Sequence, residues 1–217
     1  MKKSLFILLA FLNINAYAQT DSTQIEFVRI KNDNLWMMNE LNDIQMVSII
    51  CSDTLMKGKH FFLSIAEYKL GNLIKTDSLG ISSIEKRIPI VNGKDTMIYI
   101  INNADRIRYD MIDTDFKIMV GGKLVEDSLN LMIKYPGMGI MRKLKGSERY
   151  RLREVQQCGN HRLKIALNKR IPILAYTSPF EMGAGRGSYC LLADELPGMW
   201  YEKFKVKHYY LFFLEIK

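Results

Sequence analysis

After residue 19 the chain alternates apolar and polar positions with a period of two, in short runs separated by turn residues. Successive side chains of a strand point to opposite faces. The pattern therefore predicts antiparallel strands with one apolar face and one face that can be wet, which parallel sheets seldom allow. Ile107, Tyr109 and Met111 alternate with Arg106, Arg108 and Asp110, and Leu163, Ile165 and Leu167 alternate with Arg162, Lys164 and Ala166. The run 209–216 is different, since Tyr209-Tyr-Leu-Phe-Phe-Leu214 and Ile216 are apolar on both faces. This last strand is expected deep in the fold.

Glycine and asparagine tolerate the positive φ of tight reversals, so three pairs mark expected hairpins: Gly71-Asn72, Asn92-Gly93 and Gly121-Gly122. Pro89 and Pro172 lack an amide donor, which places their strands at sheet edges or places the prolines at strand starts. One short helix is predicted over 33–43, where Leu35, Met38 and Leu41 recur every three residues and Asn32 or Asp33 caps the start. The segment 147–157 reads as strand or helix, with the strand preferred. The expected fold is all-β, an antiparallel β-sandwich built from hairpins with one short N-terminal helix. A single β-rich domain over 19–217 is expected. The alternative divides the chain at Tyr135-Pro-Gly-Met-Gly139 into small β domains over 19–135 and 136–217.

The first 18 residues belong to a different pattern. Lys2 and Lys3 precede eight apolar residues, 5–12, and Ala16-Tyr-Ala18 supplies small side chains at the two positions that signal peptidase tests. Eight apolar residues fall well short of the roughly 20 a helix needs to cross a bilayer. These residues are read as a signal peptide cleaved after Ala18, which predicts a periplasmic or extracellular protein. The first cysteine is Cys51, so no cysteine follows the apolar run to carry a lipid. Ala-Tyr-Ala followed by Gln19 resembles the exported proteins of Bacteroidota, and the resemblance, confined to these residues, implies a Gram-negative envelope.

The whole chain carries 31 basic and 23 acidic residues; two of the basic ones lie in the leader, so the mature charge is 29 minus 23, or +6. Such a balance suits anionic envelope polymers, and nucleic acid is not expected as a partner. Cys51, Cys158 and Cys190 permit at most one intramolecular disulfide, or none if all three are buried thiols.

Candidate chemistry is sparse. The three histidines are His60, His161 and His208, and no G-x-S-x-G elbow is present, Ser188 in Gly187-Ser-Tyr-Cys190 being the nearest approach. Cys158-Gly-Asn-His161 has the spacing of half a zinc site without the other half. Asp110, Asp113 and Asp115 cluster without an EF-hand pattern. Gly183-Ala-Gly-Arg-Gly187 would let backbone amides approach an anion, with Arg186 as a charged donor, but it lacks the surroundings of a dinucleotide site. No catalytic residue, metal ligand or cofactor is assigned.

The clearest polar bias is Arg142, Lys143, Lys145, Arg149, Arg151 and Arg153, against the single acid Glu148. On a strand the three arginines share one face, and their forked donors match carboxylate, sulfate or phosphate groups. Trp36 and Trp200-Tyr201 supply flat apolar faces of the kind that stack sugars. The expected function is binding without catalysis, through Arg149, Arg151 and Arg153 together with Arg186 and Trp200, of an anionic polysaccharide or an acidic protein partner. A carbohydrate-binding accessory module is the first alternative, and a hydrolase or metalloenzyme the second.

Overall fold

A computed structural model describes residues 22–28, 32–56, 59–79, 85–89, 95–99, 116–135, 138–155, 161–181, 187–188 and 195–217. The leader, the Asn92-Gly93 turn, the 107–111 alternation, the aspartate cluster, Cys158, Cys190 and Arg186 lie outside these residues. In chain order the elements are β1 (Ser22–Val28), α1 (Asp33–Leu41), β2 (Ile44–Cys51), β3 (Phe61–Lys69), β4 (Asn72–Ser78), β5 (Glu85–Pro89) and β6 (Asp95–Tyr99). They continue with β7 (Phe116–Val125), β8 (Ser128–Tyr135), β9 (Met138–Lys145), β10 (Arg151–Glu154) and β11 (Arg162–Ala166). The last are β12 (Ile171–Thr177), β13 (Phe180–Glu181), β14 (Gly187–Ser188), α2 (Trp200–Phe204) and β15 (His208–Ile216).

The fold is an antiparallel β-sandwich. Sheet I has six strands in the order β11-β1-β2-β7-β8-β9, and sheet II has five in the order β10-β12-β15-β3-β4. Both draw strands from either side of Tyr135, and β5-β6 and β13-β14 form two small ribbons. The main core lies between the sheets. Ile25, Phe27, Ile49, Ile118 and Leu131 from sheet I pack with Leu63, Ile65, Leu174, Phe212 and Leu214 from sheet II. None of the helices among the described residues is long and apolar enough to cross a membrane.

β15 is the middle strand of sheet II, as its two apolar faces require. Tyr210, Phe212, Leu214 and Ile216 enter the main core. Tyr209, Leu211 and Phe213 point the other way into a second cluster with Ala66, Ala175, Phe180, Trp200 and Val206. The short helix α2, which the sequence reading did not include, delivers Trp200 to this cluster.

Several predicted elements form, and the exceptions have physical reasons. The Asn32 side chain accepts from Leu35 N and caps α1, which ends two residues before the predicted limit. The first hairpin turns on Leu70 and Gly71, at φ 51° and 81°, so Asn72 already belongs to the strand. β5 and β6 pair as expected around the Asn92-Gly93 segment. Pro172 stands near the start of β12, at a register shift and beyond the residues that β10 reaches.

Gly121-Gly122 is no turn. β7 runs straight through both glycines, and the reversal comes at Glu126-Asp127, with Glu126 at φ 56°. Glycine also marks close approach within a sheet. A Cβ on Gly122 would stand 2.8 Å from Leu129 Cδ1 and 3.1 Å from the Asn130 carbonyl, so the neighbouring strand occupies that space. Tyr135 and Met138 pair as the ends of β8 and β9, neighbouring strands of sheet I.

Candidate functional site

The basic run 142–153 occupies two strands in two sheets. Lys143 and Lys145 lie on β9, the outer edge of sheet I, and Arg151 and Arg153 on β10, the outer edge of sheet II. Residues 146–150 carry the chain between these edges. The predicted single ladder of three arginines is thereby corrected. Arg149 sits in the turn before β10, where Tyr150 N donates to Ser147 O, and only Arg151 and Arg153 project from the strand.

Both strand arginines are exposed and share the face of Thr177 and Ala175, their partners on β12, while Leu152 between them enters the main core. Arg151 folds back on the turn, its Nη1 donating to the carbonyls of Glu148 and Tyr150. Gln45 of β2 fastens the same stretch from the opposite sheet. Its Nε2 donates to Tyr150 O at 3.2 Å, and its Oε1 accepts from Leu152 N. A single neutral side chain thus satisfies two backbone groups at the crossing, where a strand partner is missing.

Beside this crossing lies a polar chain that no sequence spacing announces. Tyr150 Oη donates to His208 O at 3.0 Å and stands 3.3 Å from His208 Nδ1. His208 Nε2 is 2.9 Å from Glu67 Oε1, which also accepts from Tyr210 Oη at 3.4 Å. Lys145 N donates to Tyr210 Oη at 3.2 Å, tying the end of β9 to the middle of sheet II. Tyr176 packs edge-on against Tyr150, and its buried hydroxyl has no partner among the described residues. A Cβ on Gly146 would collide with that hydroxyl.

Carboxylate, imidazole and phenol in series can move a proton, but here burial works against it. It raises the phenol of Tyr150 and pushes Tyr176 up to about 12, where nearby Tyr150 adds to the rise and Arg151 opposes it. Tyr210 is likewise raised, by burial first and Glu67 next. These phenols stay neutral at ordinary pH and serve as packing and hydrogen-bonding groups. One cleft lies elsewhere, about 270 Å³ lined by Gln24, Ile25, Glu26, Ser52, Asp53 and Arg162. Asp53 is engaged there, accepting from Thr23 Oγ1 at 2.8 Å and from Leu55 N at 2.9 Å.

In comparisons with known proteins, the chain matches no protein family, no curated protein and no solved structure.

The remaining candidates separate in space. Trp200 is 1% exposed, its ring 4.9 Å from that of Tyr209 and its Nε1 donating to Glu195 O, so the expectation of a ligand on this ring is corrected. It is a core residue. Trp36 is 53% exposed on α1, beside Met37, Met38 and Leu41, which are also exposed. Cys51 is a free, buried thiol, pushed up to about 12 by burial. Among the described residues no three His, Cys, Asp or Glu side chains converge as a metal site.

One surface escaped the sequence reading. The outer face of sheet I, across β7, β8 and β9, carries Lys117, Lys123, Lys134, Lys143 and Lys145 around Met132 and Met141. Its alternation is plain in Lys123, in Met132 and Lys134, and in Met141, Lys143 and Lys145. With a turn placed at Gly121-Gly122, however, the cross-strand neighbours come out wrong.

Proposed function

We propose that the protein is exported to the periplasm or cell surface of a Gram-negative envelope and acts there by binding, without catalysis, an anionic polysaccharide or an acidic protein partner. The reading rests on the exposed Arg151 and Arg153, held side by side on the outward face of an edge strand, with Arg149 in the turn that leads to them. Arginine forks on such a strip suit carboxylate or sulfate groups spaced along a polymer. The anchored Tyr150–Leu152 backbone fixes where the strip points.

The test is retention on an immobilised sulfated or uronic-acid polysaccharide and on an immobilised acidic polypeptide. Arg151→Glu with Arg153→Glu should abolish retention on the ligand that binds while leaving the circular dichroism and thermal transition in place. Retention unchanged by the double reversal would sink the proposal. Export is tested separately, by sequencing the N-terminus of the protein recovered from the envelope, which should begin at Gln19.

A second reading, recognition of a neutral glycan, is supported by the exposed ring of Trp36. It predicts affinity lost on Trp36→Ala and nearly insensitive to salt, whereas binding through arginines weakens steeply as salt screens the charges.

A further inference from the structure

We infer that the outer face of sheet I docks against an anionic lipid surface. The strand register places Lys123, Asn130 and Lys143 in one row across β7, β8 and β9, and Gly121, Met132 and Met141 in the next. Lys134 and Gly139 follow beyond them, with Lys145 and Val125 at the other end. On β2 the same face continues as Ile44 and Met46, opposite Lys123 and Gly121. Met132 is 50% exposed, Met141 68% and Val125 46%.

No acidic side chain belongs to this face on β2, β7, β8 or β9. Lys75, Lys203 and Lys217 each hold a carboxylate within salt-bridge distance. Lys117, Lys123, Lys134, Lys143 and Lys145 are exposed, and none has an ion-pair partner among the described residues. Among the described residues five lysines without an ion-pair partner thus surround an apolar centre, with Glu26 of β1 on the same face two strands from Lys117. Neighbouring strands lie about 4.8 Å apart and alternate residues about 7 Å apart, so the charges are spread over a broad patch without a groove.

The chemistry favours lipid over an acidic protein. A lysine is a point charge on a flexible stem, and it follows phosphates that move laterally. A structured carboxylate is better held by the arginine fork, which this face lacks on β7 and β8. Lysine stems also let the head group stay wet while their methylenes and the unbranched methionines settle into the interface. This face belongs to the sheet opposite Arg151 and Arg153, so the inference stands apart from the polymer-binding strip.

Purified protein should co-sediment at low salt with equimolar phosphatidylglycerol and phosphatidylcholine vesicles, release at high salt, and ignore pure phosphatidylcholine. Each lysine near an anionic surface contributes about a fivefold factor in affinity, so Lys123→Gln with Lys143→Gln should weaken vesicle binding roughly 25-fold. Met132→Ser with Met141→Ser should weaken it further at every salt concentration. Arg151→Glu with Arg153→Glu should leave it within about twofold. Failure to bind anionic vesicles at low salt, equal binding to neutral vesicles, loss through the arginine pair, or equal competition by soluble polyglutamate would overturn the inference. The salt and lipid series on the unaltered protein decides the matter even if a variant misfolds.

Discussion

The outer face of sheet II is packed beneath Phe180, Trp200 and Val206, whereas the outer face of sheet I carries exposed lysines and methionines. The difference follows from the central strands. β15 presents Tyr209, Leu211 and Phe213 outward and must be covered to remove them from water. β7, a central strand of sheet I, presents Lys117, Met119, Gly121 and Lys123 outward, with both lysines exposed, and needs no such cover. The centre of sheet II's outer face thus serves stability, with Arg151 and Arg153 exposed at its edge, while the outer face of sheet I lies open across β7, β8 and β9. The polar chain of Tyr150, His208 and Glu67 lies on neither outer face, since it links the turn before β10 to β15 and β3 beside the main core.

The largest expected effect breaks the covered side. Trp200→Ala opens a cavity against Tyr209 and should cost about 3–5 kcal/mol in urea unfolding. Next comes a contrast within one strand. Gly122→Ala, which drives a Cβ toward Leu129, should cost about 1–3 kcal/mol, while Gly121→Ala, with its nearest neighbour at 3.5 Å, should stay within about 0.5 kcal/mol.

The alkaline limb sharpens the comparison from the covered side. Burial raises Tyr68 and Tyr209 on the outer face of sheet II and Tyr176 in the main core, the last to about 12. A phenol whose folded pKa exceeds its unfolded value near 10 favours the folded state below that pH. As the unfolded chain loses protons that the folded one keeps, stability should fall between about pH 10 and 12. Following tyrosinate absorbance against the unfolding midpoint checks this. Smallest of all, Met132→Ala and Met141→Ala should each change stability by less than about 0.5 kcal/mol. A larger loss would show that the outer face of sheet I also serves the core.

What the sequence disclosed was whatever depends on near neighbours. The alternation in β11, the capped helix after Asn32 and the two-faced apolar run of β15 are all local signals, and each produced the expected element. Gly121-Gly122 misled because one residue type answers two demands, positive φ in a turn and lack of bulk within a sheet. The arginine run misled because a sequence does not state which sheet a strand joins, and the chain changes sheets between Lys145 and Arg151. Trp200 was legible as core or as contact, and only the packing of Tyr209 decides between them. His208 meets Tyr150 and Glu67 across 58 and 141 residues, a separation that leaves no spacing motif. The lysine face depends on register, and register was lost with the turn.

The strand pairings also bear on when the molecule can close. Ser22 pairs with Ala166, and Phe61 pairs with Ile216. A chain delivered N-terminus first must hold β1 and β3 without these partners until nearly all of it has emerged. Contacts so distant along the chain make closure slow, because a long loop must be ordered before either sheet is complete. Such a chain stays threadable through a narrow channel for most of its delivery.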